Sequence, residues 1–125
     1  MTLSTQVNNA DRVCIVRNDQ ALLQAYEANT FITRLKGLFA YPPLGACDAL
    51  VLRDCTSVHT FGLSQRIDAV FVGKQGTVLK IVSMKPCSVA FCFKASCVVE
   101  MQAGSASRLE LRLGQRLMFE RQDLS

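Results

Sequence analysis

Apolar and polar positions alternate in short runs along most of the chain, and turn-forming residues separate the runs. Asp11-Arg12-Val13-Cys14-Ile15-Val16-Arg17 is a β-branched apolar run closed by Asn18-Asp19, which predicts a strand ending in a turn. Residues 1–10 carry no such pattern and read as a flexible tail, leaving 11–121 as a single globular β domain. The stretch Ala21 to Ala28 is open to two readings, because its residues are good helix formers while its length suits a strand. From Thr30 to Leu38 the spacing predicts a short amphipathic helix: Thr30 can cap the first amides, Ile32, Leu35 and Phe39 share a face, and Gly37 suits the C-terminal end. Tyr41-Pro42-Pro43-Leu44-Gly45 must be a loop, since each proline lacks an amide donor.

Four further β-like runs follow: Ala49 to Cys55, Ile67 to Val72, Val78 to Met84 and Cys97 to Met101. Gly73-Lys74-Gln75-Gly76 joins two of them with glycines able to take positive φ, so Ile67 to Met84 reads as a β-hairpin. Ala103 to Leu109 predicts a turn with one helical turn, and Gly114 to Phe119 a last strand. Short strands separated by turn signals, with one or two small helices, point to a mainly β fold. The expected architecture is a sandwich or barrel-like arrangement of short antiparallel strands, not alternating βαβ units.

Composition narrows the function classes. With 125 residues, 50% hydrophobic and 19% charged, the chain can bury a core without disulfides or zinc. The net charge of +4 is spread over the chain with no polybasic run, which disfavours nucleic acid as a partner. No apolar run approaches the ~20 residues of a membrane helix. The first residues lack a secretory pattern, so a cytoplasmic, reducing location is expected, with free cysteines rather than a disulfide framework.

The candidate chemistry gathers around Cys55-Thr56-Ser57-Val58-His59-Thr60-Phe61-Gly62-Leu63, which holds the single histidine of the chain. His59 could act as a general base, with Cys55 as an activated thiolate and Asp68 fixing the imidazole tautomer. The plainer reading is a histidine that closes a loop by hydrogen bonding, since no nucleophile-elbow signature surrounds the cysteine. Cys87, Cys92 and Cys97, with Cys55 and His59, supply soft ligand types. They lack the close cysteine knuckle of structural zinc sites, and buried free cysteine usually behaves as a small hydrophobe. Period-two alternation puts Asp68 on one face with Val70 and Val72, where a carboxylate needs backbone amides or an arginine such as Arg34 or Arg66. Glu100 raises the same question, and the two acids would form a paired-carboxylate site if they met.

The succession Arg34-Leu35-Lys36-Gly37-Leu38, Cys55, Val58-His59-Thr60-Phe61-Gly62, Ile67-Asp68-Ala69-Val70-Phe71, Pro86, Cys92, Val99-Glu100, Ala103-Gly104 and Leu113-Gly114-Gln115-Arg116-Leu117 resembles the Domain of Unknown Function 192 family, also called Uncharacterised Protein Family 127. The likeness spans about residues 28 to 118 and departs from the family pattern at Leu63, in place of methionine, and at Arg66, in place of proline. It implies a single small β-sandwich or barrel-like domain and makes Ala21 to Ala28 a strand. It implies no established activity.

Two function classes follow. The first is a non-enzymatic binding module, with Cys55, His59, Thr60, Phe61, Asp68 and Cys92 as the candidate binding residues and a protein or small molecule as partner. Phe61 is its anchor and should be exposed. The alternative is an enzyme or metal protein built on His59 with Cys55, Cys92 and Asp68, which requires at least three of these side chains to converge. No cofactor and no metal ligand set is assigned.

Overall fold

The structure is a computed structural model, described here over residues 12–28 and 49–121. The expected tail at 1–10, the helix from Thr30 to Leu38 and the loop from Tyr41 to Gly45 lie outside the described residues.

β1 (Arg12–Arg17) and β2 (Gln20–Ala28) form a tight hairpin, with Arg17 opposite Gln20. Asn18 and Asp19 between them both have positive φ, at 53° and 64°. That conformation is what a two-residue turn needs to match strand twist, and Asn and Asp tolerate it better than other side chains. The turn zips β2 onto β1, and β2 also pairs in parallel with β3 (Ala49–Arg53). Pairing on both sides therefore overrides the helix propensity of Ala21 to Ala28, which is strand, as the family resemblance implied.

The remaining strands among the described residues are β4 (Ser57–His59), β5 (Ile67–Val72), β6 (Val78–Met84), β7 (Val89–Phe91), β8 (Cys97–Gln102) and β9 (Met118–Arg121). A single helical turn, α1 (Ser105–Arg108), precedes β9. Seven strands make one sheet in the order β6-β5-β8-β3-β2-β1-β9, and β4 and β7 make a separate antiparallel ribbon. The hairpin from Ile67 to Met84 is present as the glycines predicted.

The large sheet curls so that its two edges meet at one end. There Val78 donates its amide to Gln115 O at 2.8 Å, Gly114 N donates to Val78 O at 2.9 Å, and Leu117 N donates to Gly76 O at 2.8 Å. Gly76 has φ +84°, and a Cβ placed on it would stand 2.1 Å from Leu117 O, so this approach is open to glycine alone. Because residues 114–117 bond to the far edge, the last strand begins at Met118 instead of Gly114. The curl stops short of a closed barrel, and sheet plus ribbon form a mainly β, sandwich-like fold.

Alternation along the buried strands sorts the apolar side chains into two clusters. Val13, Ile15, Leu23, Ala25, Ala49, Val51, Val70, Val72, Cys97, Val99 and Met101 form one, sealed by Ala106, Leu111 and Leu117. Strands β1, β2, β3, β5 and β8, with Val78 of β6, all contribute to it, so it fills the inside of the curl. Leu50, Leu52, Ile67, Ala69, Phe71, Met84 and Val98 form the other cluster, with Val58 and Ala90 of the ribbon packed onto it. The ribbon is therefore a cover laid over the outer face of the sheet.

Candidate functional site

The ribbon is short, and turns hold it in place. β4 and β7 pair Ser57 with Phe91, Val58 with Ala90 and His59 with Val89. Thr60, immediately after β4, is fully buried. Its hydroxyl donates to Lys85 O at 2.7 Å and accepts from the Ser88 amide at 2.8 Å. Its backbone amide donates to Ser88 O at 2.9 Å, and its carbonyl accepts from Cys87 N at 3.2 Å. Net hydrogen bonds of this kind contribute ~1 kcal/mol each and cost more when one partner is removed. Thr60 thus rivets the turn after β4 to the turn before β7, and its side chain faces inward.

With Val58 and Ala90 turned down, the alternate residues face out. His59 and Val89 lie opposite each other across the ribbon, and Ser57 and Phe91 form the next pair. The ring of Phe61 stacks on His59 with centroids 4.9 Å apart, and the Phe61 amide donates to His59 Nδ1 at 3.3 Å. Phe93, just beyond β7, packs against Phe91 with centroids 5.0 Å apart. Lys80 on β6 donates from Nζ to Phe91 O at 2.9 Å and lies 5.5 Å from the Phe91 ring centroid, within cation–π range. Phe61, His59, Val89, Phe91 and Phe93 therefore form a continuous exposed strip edged by an ammonium group.

The other sequence candidates do not join this strip. Cys55 donates its thiol to Ser57 O at 2.9 Å and packs with Cys92 against the outer cluster beneath the ribbon. Both thiols are free, so no Cys55 to Cys92 disulfide forms. Asp68 is buried on the inner face, where one carboxylate oxygen, Oδ2, accepts the amides of Gly104 and Ala106 at 3.0 Å each. That is the backbone-amide partner the alternation called for, and it anchors α1 to β5. Cys97 is buried in the inner cluster, and burial pushes its thiol up to about 11, far from a reactive thiolate. Among the described residues no three His, Cys, Asp or Glu side chains are grouped to hold a metal ion. The convergence of at least three of His59, Cys55, Cys92 and Asp68 is not met: Asp68 is on the opposite face of the sheet from both cysteines, and His59 faces outward on the ribbon while they pack against the outer cluster.

Glu100 does not pair with Asp68 either. On β8 it lies between Leu50 of β3 and Ala69 of β5, on the outer face. Burial alone pushes its carboxyl up from 4.5 to about 7, and among the described residues it has no hydrogen-bond or ion-pair partner. A second buried acid, Glu27 of β2, is fully engaged by contrast, with Arg53 at 2.7 Å and Arg121 at 3.0 Å.

Sequence reasoning singled out His59 and Phe61 but missed Val89, Phe91, Phe93 and Lys80. The signal was the out-in-out pattern of Val89-Ala90-Phe91, which is too short to stand out unless its pairing with Ser57-Val58-His59 is known.

Comparison with known proteins places this geometry in a family. No helix among the described residues is long and apolar enough to cross a membrane. Comparison with the curated proteins yields no match. A crystal structure of a protein of unknown function from Novosphingobium aromaticivorans is similar, with a TM-score of 0.71 and 20% identity over 86% of this chain and 83% of that one. So is that of a "putative transcription regulator" from Sinorhizobium meliloti, with a TM-score of 0.72 and 20% identity over 86% of this chain and 92% of that one. At this identity the likeness carries the fold. The family profile for DUF192, described as uncharacterized ACR, matches residues 13–119, so the chain belongs to the DUF192 family, as the sequence resemblance indicated.

Proposed function

We propose that this chain is a non-enzymatic, cytoplasmic binding module that docks a polypeptide partner on the outer face of the β4–β7 ribbon. The single observation that supports it is the exposure of Phe93 at 85%, Val89 at 60%, Phe61 at 55% and Phe91 at 51%, all on one small ribbon. Scattered exposed apolar residues need no explanation, but a contiguous set of this kind marks interaction surfaces. Aromatic side chains are enriched in the centres of protein interfaces. Beneath the strip, Thr60 and the Val58–Ala90 pair hold the ribbon rigid, so docking would order few additional groups. Of the candidate binding residues, His59 and Phe61 would touch the partner, while Thr60, Cys55 and Cys92 support the ribbon and Asp68 supports the scaffold. The description of one fold neighbour as a transcription regulator does not extend to this strip, and nucleic acid stays disfavoured.

The test is selection of phage-displayed random dodecapeptides on the wild-type protein, with the Phe91→Ser/Phe93→Ser variant as counter-selection. Synthesised winners are then mapped by amide chemical shifts. Shifts centred on residues 57–61 and 88–93 are expected. Winners that bind the double variant equally well, or that shift residues of the inner face, would overturn the reading.

A further inference from the structure

Resting on that docking reading, we infer that the ribbon selects an acidic, extended peptide segment, whose carboxylates meet the cations around the strip while its alternate apolar side chains cover the phenylalanines. Charge is distributed unevenly here. Between residues 55 and 96 the chain carries Arg66, Lys74, Lys80, Lys85 and Lys94 against a single acid, Asp68. That acid is buried on the other face and occupied by two amides. At the strip the cations are Lys80 and the exposed Lys94, while of the acids flanking that stretch Asp54 lies just before Cys55 and Glu100 is buried beneath the outer face. Lys80 bonds to the Phe91 carbonyl, which fixes its ammonium at the edge of the aromatic strip with two of its three N–H donors left over. Lys94 is exposed beside Phe93, and the Lys85 carbonyl is tied to Thr60.

Backbone geometry adds the preference for an extended chain. Thr60 with Ser88 and Thr56 with Cys92 are joined by ladder hydrogen bonds, so the intervening pairs 57/91 and 59/89 are the non-bonded ones. Their N–H and C=O groups point outward along the ribbon edges, where the Phe91 carbonyl already meets Lys80. An incoming strand can use such groups, with side chains alternating between the strip and solvent. Single-stranded nucleic acid also favours aromatic and basic surfaces, but it stacks bases on free ring faces. Here Phe61 is stacked on His59, and Phe91 and Phe93 are tilted against each other by 54°. A second copy of this chain would bring the same cations against themselves.

Fluorescence anisotropy with three labelled probes tests the inference: a decapeptide alternating Glu with Phe and Leu, its counterpart with Lys for Glu, and a dodecamer of deoxythymidine. The acidic peptide should bind at least tenfold tighter than the basic one and lose about fivefold or more of its affinity between 50 and 300 mM NaCl. Lys80→Gln should weaken it severalfold and Phe93→Ser about tenfold, with unchanged circular dichroism for both variants. Equal or reversed charge preference, tighter binding of the oligonucleotide, or no binding of the acidic peptide would overturn the inference. So would a dimer in analytical ultracentrifugation that Phe93→Ser dissolves, which would make a second copy the occupant. If the mapped dodecapeptides still seat on the ribbon, the docking reading survives such a failure; if they do not, both fall.

Discussion

Asp68 on β5 and Glu100 on β8 stand on neighbouring strands one residue apart in register, yet they face opposite sides of the sheet. Asp68 enters the inside of the curl, where two amides of the α1 turn meet one of its oxygens. Glu100 faces the ribbon side between Leu50 and Ala69 and has no partner among the described residues. The same contrast runs through the two faces. The inner face is completed within the chain: the Glu27 ion pairs, the Gly76 to Leu117 approach and the Asp68 anchor satisfy its polar groups. The outer face ends in a ribbon whose far side is apolar and open. A fold that completes one face and leaves the other unfinished shows where its stability resides and where a partner would add something.

That comparison breaks most readily at Asp68. Replacing it with alanine leaves two amides near α1 without their charged acceptor, and hydrogen bonds to charged groups are worth ~1.5–3 kcal/mol each. Asp68→Ala should therefore lower unfolding free energy by about 3 kcal/mol in urea titrations, with the ribbon residues still folded in the native baseline. A loss below about 1 kcal/mol would mean that the inner face does not depend on this anchor.

Glu100 should behave in the opposite sense. Its carboxyl is neutral in the folded protein up to about pH 7 but ionises near 4.5 once unfolded. Between those values the native state holds the extra proton, so stability falls as pH rises across that window and levels off above it. At ~1.4 kcal/mol per tenfold change in proton affinity, the deficit at high pH is at most ~3 kcal/mol. Glu100→Gln removes it and should raise stability by about 2 kcal/mol at pH 8 and by almost nothing at pH 4.5. A variant whose pH profile parallels that of the wild type would show that the buried acid is neutralised by other means.

Thr60→Val tests the connection between ribbon and sheet. Valine fits the space but leaves Ser88 N without its acceptor and removes one of two hydroxyl donors from Lys85 O, which keeps that of Ser88 at 2.6 Å. A loss of about 1–2 kcal/mol is expected, with amide exchange accelerated first at residues 57–61 and 88–91. Uniform acceleration over the whole sheet would mean that ribbon and sheet open as one unit.

The sequence made much of the inner face legible because its signals are local and long enough. The β-branched runs of β1, β5 and β6, the glycines at 73 and 76 and the alternation that set Asp68 beside Val70 all declared themselves within a few residues. The resemblance to DUF192 supplied what propensity left open at Ala21 to Ala28. The ribbon was harder to read, since three-residue strands become strands only through each other, and Val89 and Phe91 sit thirty and thirty-four positions after their partners His59 and Ser57. Equally, whether Glu100 had a partner depended on three strands meeting, which no local pattern records. The late start of β9 had the same cause, because residues 114–117 are claimed by Gly76 and Val78 across the sheet.

The smallest expected change in stability is also the sharpest test of the contrast. Phe93 is 85% exposed and rests mainly on Phe91, so Phe93→Ser removes little buried area. Surface substitutions of this kind stay within about 0.5 kcal/mol. If the outer strip exists for a partner, the variant should keep its melting temperature to within a few degrees and lose peptide binding, which separates the residue's role from folding. If the strip is merely an extension of the core, Phe93→Ser should instead lower stability by more than about 1 kcal/mol. The inner face then offers the control: Met101→Ala, fully buried, should cost ~2–5 kcal/mol and leave binding by the remaining folded fraction unchanged.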